Sequence, residues 1–177
     1  MKKWILIAVF FVLSVIAKQT IAQMPAPGSY VINNTMTAFH GTWRWVNGAD
    51  TVLIYLTTKK VHMSNFDIDL LVGWHIYKKG NAIVESSYSG INNVSASTIT
   101  LWNDRTPNNP KVEGTITDLS KLNKLNFLYL SMNATQNQIT WRCTETGGRS
   151  YPPSQPLPPA GVTLPRNMIL TKLQMSQ

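Results

Sequence analysis

Apolar and polar residues alternate along most of the chain after residue 37, with the period of two that is typical of β-strands. Residues 38–46 show this pattern, because Gly41, Trp43 and Trp45 fall on one face. The turn residues at 47–50 then predict a hairpin with residues 51–57. No segment carries the spacing of three and four residues that indicates a helix. The pattern therefore predicts an all-β chain.

The same alternation predicts further strands, separated by turn residues. They are expected at residues 70–77, 82–86, 98–102, 112–117, 125–132 and 138–144. A polar loop through Lys59, Lys60 and Ser64 is expected before the first of them. Within residues 70–77, Trp74 and His75 point to opposite faces. A spacing of about ten residues between strands predicts a single antiparallel meander, either a closed barrel or a β-sandwich.

The composition changes at residue 147, where prolines become frequent. Six of the ten prolines fall between residues 147 and 166, which predicts an extended, polyproline-like strap. Residues 167–172 then resemble a closing strand, so residues 147–177 form the strap and last strand of the β domain at 38–146. The strap is interpreted as a crossover that brings the last strand to an edge of the sheet, and not as a proline-motif ligand, because domains that recognise such motifs are mainly intracellular.

The N-terminal residues have the features of a secretory signal peptide. A basic start at 1–3 precedes an apolar run at 4–17, and Ala22 offers a small residue for cleavage, with Ala17 as the alternative. We therefore expect residues 1–22 to be removed, leaving an N-terminal extension at 23–37 and no transmembrane segment. The protein is expected to be exported to the periplasm or exterior of a Gram-negative bacterium.

Composition and charge narrow the range of partners. The chain has 177 residues, 44% of them hydrophobic and 14% charged, which fits one packed domain. The single cysteine, Cys143, cannot close an internal disulfide and is expected to pack as a small hydrophobe. The formal charge is +8, but the lysines are scattered at turns and not arranged in a stripe. We therefore expect no nucleic-acid partner.

No catalytic or metal-binding motif stands out. The chain lacks a Gly-x-Ser-x-Gly elbow and a His-Glu-x-x-His motif, and its three histidines fall on separate elements. Carboxylates for a hydrolase are available at Asp67, Asp69, Glu85, Glu113 and Glu145, and His75 and Glu85 remain candidates without an assigned role. We expect no enzyme activity, no cofactor and no metal.

Tryptophan is unusually frequent for an exported domain of this size. Core packing explains any single tryptophan best, because each ring buries a large apolar area. The functional interpretation is a non-enzymatic binder that holds a small hydrophobic ligand near Trp43, Trp74 and Trp141. The alternative is a structural or protein-interaction component of the cell envelope, whose aromatic residues only fill the core.

Two resemblances add to this interpretation. Gly41-Thr42-Trp43 resembles the Gly-x-Trp opening of lipocalin-like (calycin) barrels, which are antiparallel barrels that often hold a small apolar ligand. In that superfamily a late arginine packs across the tryptophan, which makes Arg142 the candidate here. Because Arg142 alternates with Trp141 and Cys143, it faces outward if those two residues face inward.

The second resemblance covers nearly the whole chain after the leader. Residues 41–51, the run at 71–77 and the ending at 163–172 resemble a family of small exported proteins from flavobacteria-type Bacteroidota. That family is a domain of unknown function. The resemblance implies export and a single β domain, and it carries no catalytic or binding residue to this chain.

Overall fold

The computed structural model describes residues 25–91, 93–103, 110–146 and 156–174, so the expected signal peptide at 1–22 lies outside the described residues. Within these ranges, ten strands form one sheet. They are β1 (Tyr30–Val31), β2 (Gly41–Asn47), β3 (Asp50–Met63), β4 (Phe66–Lys79), β5 (Ala82–Ser86), β6 (Ile99–Asn103), β7 (Lys111–Asp118), β8 (Lys124–Met132), β9 (Gln138–Glu145) and β10 (Asn167–Lys172). Helical segments in the described part of the chain are short 3-10 turns, and none there is long and apolar enough to cross a membrane.

Eight of these strands close into an antiparallel barrel, which confirms the barrel and excludes the sandwich. The order around the barrel is β4, β3, β2, β10, β9, β8, β7 and β6, and β6 pairs back onto β4. The remaining strands lie outside this ring, because β1 and β5 pair with the parts of β4 that β6 does not reach. The strap does not bring β10 to an edge, since β10 pairs with β2 on one side and β9 on the other.

The predicted polar loop through Lys59, Lys60 and Ser64 is wrong. The β3–β4 hairpin continues through this region and turns at Ser64 and Asn65. Polar side chains are tolerated there because this part of the hairpin leaves much of its surface in solvent, where Lys60 and Asp67 form an ion pair at 2.7 Å. The first strand also begins three residues later than predicted, at Gly41, because Asn34–Phe39 form a 3-10 turn.

The barrel interior is a hydrophobic core that is closed at both ends. The 3-10 turn inserts Met36 and Phe39 at the end where β2 begins, and both side chains are fully buried. The strap closes the opposite end with Leu164, which is also buried in the core. Of the proline-rich segment, residues 156–166 are described, and residues 147–155 lie outside the described part.

Candidate functional site

The structure brings together two of the three tryptophans predicted to bind a ligand. Trp43 and Trp141 point into the barrel and belong to one core cluster. Trp74 points to the other side of the wall, where it is buried and stacks against Tyr55 at 5.9 Å. The reason is the register, because His75 lies opposite Ile54 and therefore takes the inward position next to Trp74.

Both inward tryptophans are tied to the segments that close the barrel. The indole N–H of Trp43 donates to the carbonyl oxygen of Phe39 at 2.9 Å, in the 3-10 turn. The indole N–H of Trp141 donates to the carbonyl oxygen of Pro165 at 3.2 Å, in the strap. Trp141 also lines an open cleft of about 410 Å³ between β2 and β10. These bonds give each ring a structural role in closing one end of the barrel.

Arg142 does not pack across Trp43, so this prediction is wrong. Arg142 points outward on β9, beside Tyr129. Lys172 takes the position instead, with its amine 5.2 Å from the centre of the Trp43 ring and 3.5 Å from the carbonyl oxygen of Ala38. The physical reason is strand order, because β10 pairs with β2 and places Lys172 opposite Trp43.

A group of polar side chains lies buried inside the strap end of the barrel. We call it the polar cluster, and it comprises His75, Glu85, Ser87, Thr98, Asp118, Ser120 and Asn126, of which all but Ser120 are buried. Strands β4, β5, β7 and β8 contribute to it, together with the segments beside β6 and after β7. Buried polar groups of this kind are a common feature of functional sites.

A histidine–glutamate pair forms the centre of the polar cluster. His75 Nε2 donates to Glu85 Oε1 at 2.7 Å, and His75 Nδ1 lies 2.9 Å from the Thr98 hydroxyl. Ser87 bonds to the same hydroxyl at 2.9 Å and accepts the backbone N–H of His75 at 2.9 Å. The ring of His75 is therefore fixed on both nitrogens.

Two carboxyl groups face each other beside this pair. Burial alone would raise the pKa of Glu85, but the hydrogen bond and charge of His75, with the Ser120 donors, hold the pKa below its ordinary value. Burial raises the pKa of Asp118, and the nearby Glu85 raises it further, although the Thr163 backbone N–H donates to Asp118 Oδ2 at 2.7 Å. His75 and Ser120 thus hold the pKa of Glu85 low, whereas burial and the neighbouring Glu85 raise the pKa of Asp118.

Asn126 is the unusual member of the polar cluster. Asn126 is 0% exposed, and neither the nitrogen nor the oxygen of its side-chain amide has a hydrogen-bond partner. It points inward from β8, between Ile116 on β7 and Glu145 on β9, one diagonal step from Asp118. The Oδ1 atom of Asp118 also lacks a donor, but a proton on Asp118 would bond it to Glu85.

The interior offers no reactive thiolate and no metal site among the residues that the structure describes. Burial raises the pKa of Cys143 to about 12, with Asp118 adding to the shift, so this residue stays a thiol at neutral pH. Among the residues that the structure describes, no group of three or more His, Cys, Asp or Glu side chains is placed to hold a metal ion.

Sequence reasoning noted His75 and Glu85 but missed Asp118 and Asn126. The available signal was Asn126 itself, because it shares the apolar face of residues 125–132 with Leu128 and Leu130. A polar residue at such an inward position marks an interior site.

Comparison with known proteins identifies the family. No curated protein and no solved structure matches the chain. A family model described as a family of unknown function (DUF6705) matches residues 1–173. The chain therefore belongs to the DUF6705 family of unknown function.

Proposed function

We propose that the protein is an exported, non-enzymatic binding protein that holds a small, neutral, hydrogen-bonding molecule in the polar cluster. The observation that carries the proposal is Asn126, whose amide is fully buried and unpartnered on both atoms. The expected signal peptide supports the export.

The energy of the unpartnered amide supports an occupant. A buried polar atom without a partner costs about 1–3 kcal/mol, so the two amide atoms of Asn126 together cost about 2–6 kcal/mol. Domains are stable by only about 5–15 kcal/mol in total. A molecule that accepts from Nδ2 and donates to Oδ1 would remove this cost.

The surrounding charges favour a neutral molecule. Glu85 and Asp118 are buried acidic groups at the same end of the barrel, and the Glu85 carboxylate would repel an anion. A purely hydrophobic ligand would leave the Asn126 amide unpaired. The binding of a small hydrophobic ligand near Trp43, Trp74 and Trp141 is less well supported, because Trp74 points away from the other two.

The strap provides a route of entry. It covers the polar cluster and contacts it directly through the bond from Thr163 to Asp118. A second bond to the strap comes from the Lys124 amine, which donates to the carbonyl oxygen of Gly161 at 3.1 Å. Leu164 and further bonds also hold the strap, among them those from Trp141 to Pro165 at 3.2 Å and from Cys143 N–H to Arg166 at 2.7 Å. Release of the strap would break these contacts and open the interior, but it would leave the strand pairs of the barrel intact.

Native mass spectrometry of the mature protein, purified from its own host, tests the proposal. We expect an additional small mass that is lost on unfolding, and we expect Asn126→Leu to abolish it. Asn167→Leu is the matched control, because Asn167 is exposed on β10 and its substitution should leave the additional mass unchanged. A bare polypeptide mass for the wild-type protein would contradict the proposal.

A second candidate function is that of a structural or interaction component of the cell envelope. It is favoured by the filled core, in which Trp43 and Trp141 are both fully buried. This candidate predicts that the wild-type protein and Asn126→Leu carry no additional mass, and that ordered water alone contacts the Asn126 amide.

A further inference from the structure

We propose that the outer wall of β6–β9 binds an extended, neutral, β-linked polysaccharide chain. The site is a groove of about 570 Å³ on this wall, which we call the outer groove. Its lining residues are Lys111, Val112, Glu113, Tyr129, Leu130, Ser131, Thr140, Arg142 and Thr144. The proposal does not depend on the polar cluster, which lies inside the barrel.

The strand register builds a row of outward side chains that crosses the outer groove and ends beside it at Trp102, which is not one of the lining residues. Trp102 on β6 lies opposite Glu113 on β7, Glu113 lies opposite Tyr129 on β8, and Tyr129 lies opposite Arg142 on β9. Trp102 is 41% exposed and Tyr129 is 43% exposed. Because the neighbouring residues on each strand face the core, these side chains have no packing role inside the barrel.

The alternation of rings and charges distinguishes this wall from a protein-docking patch. A surface for a protein partner has a continuous apolar centre with charged residues at its rim. Here Glu113 lies in register between Trp102 and Tyr129, and Arg142 lies beyond Tyr129. Phe127, a third exposed ring on this wall, lies between Thr115 and Thr144. Such a row offers apolar faces and hydrogen-bonding groups at alternating positions.

This chemistry matches a sugar polymer. The C–H face of a sugar ring stacks on an aromatic ring, and carboxylate and guanidinium groups bond to its hydroxyls. Trp102 and Tyr129 lie two strands apart, which separates them by about 10 Å across the sheet. That spacing suits every second sugar of an extended β-linked chain.

The size and charge of the outer groove also fit this ligand. Its volume lies within the range of about 300–1,000 Å³ that is usual for ligand sites. The charged side chains that line it are Lys111, Glu113 and Arg142, so both signs are present and the lining carries only a small excess of positive charge. The hydroxyls of Ser131, Thr140 and Thr144 add uncharged donors and acceptors.

Affinity electrophoresis tests the proposal with the mature chain. The probes are hydroxyethylcellulose and soluble xylan as neutral β-linked polymers, with alginate as an acidic comparison. We expect the neutral polymers to retard the protein, and we expect Trp102→Ala or Tyr129→Ala to weaken the apparent affinity by about tenfold or more. Tyr129→Phe should keep most of the affinity, because it retains the ring.

Ile83→Ala is the matched control, because Ile83 is exposed on β5 and lies outside the outer groove. Circular dichroism establishes that each variant is folded. The proposal is supported if the neutral polymers retard the wild-type protein and Ile83→Ala but no longer retard the two alanine variants of the rings. The proposal is overturned if neither neutral polymer retards the protein, or if all variants are retarded equally. It is also overturned if sedimentation velocity shows a dimer that Tyr129→Ala abolishes.

Discussion

At the scale of single residues, Lys172 fastens the last strand to the first tryptophan. Its amine lies over the Trp43 ring, and desolvated contacts of this kind contribute about 0.5–2 kcal/mol. We expect Lys172→Met to lower the free energy of unfolding by about that amount in urea titrations, whereas Arg142→Met should change it by less than about 0.5 kcal/mol. The opposite order of effects would mean that Arg142 is the residue that supports Trp43.

Asp118 gives the protein a pH dependence of known sign. Its folded-state pKa lies above the ordinary value of 3.8, so burial costs less while it is protonated and stability falls as the pH rises through the folded pKa. Glu85 acts in the opposite direction, because its pKa lies below 4.5 and its contribution is lost as the pH falls.

We therefore expect Asp118→Asn to gain stability relative to the wild type as the pH rises from about 4 to 7. The asparagine keeps an acceptor for the Thr163 N–H and removes the ionisation. Urea unfolding of both proteins across this range measures the difference. A difference in unfolding free energy that stays constant with pH would show that Asp118 does not titrate as described.

At the scale of elements, the strap is a closing element and Leu164 is its anchor. Leu164 is 2% exposed, whereas Leu157 in the same segment is 75% exposed. We expect Leu164→Ala to cost about 2–5 kcal/mol in unfolding free energy and Leu157→Ala to cost almost nothing. Equal effects of the two substitutions in urea titrations would mean that the strap does not close the barrel through Leu164.

The elements themselves were largely predictable from the sequence. The alternation in residues 125–132 and 138–144 marks strands that the structure contains to within one residue at each end, and residues 51–57 form the first half of β3. Two elements of the sheet were not predicted, because their alternation of apolar and polar residues is weak. β1 has only two residues, and the outer part of the β3–β4 hairpin carries polar side chains that suit a solvated strand as well as a loop.

At the scale of the whole molecule, the closure of the barrel and the assembly of the polar cluster both depend on contacts between segments that are distant in the sequence. The pairing of β6 with β4 closes the barrel, and no local pattern in either strand specifies it. His75, Glu85, Asp118 and Asn126 come from separate strands and meet only in the folded barrel. Both Trp74 and His75 are buried because β4 is covered on both faces, so alternation alone did not reveal which of them points inward.

The central claim is that the polar cluster holds a small molecule through Asn126. The most direct test is the thermal unfolding midpoint of the mature protein from its host, before and after complete denaturation, dialysis and refolding. A ligand that binds only the folded state raises the midpoint. We predict a lower midpoint for the refolded wild type and no change for Asn126→Leu. Equal midpoints for the wild type before and after refolding, with Asn126→Leu more stable than both, would contradict the claim.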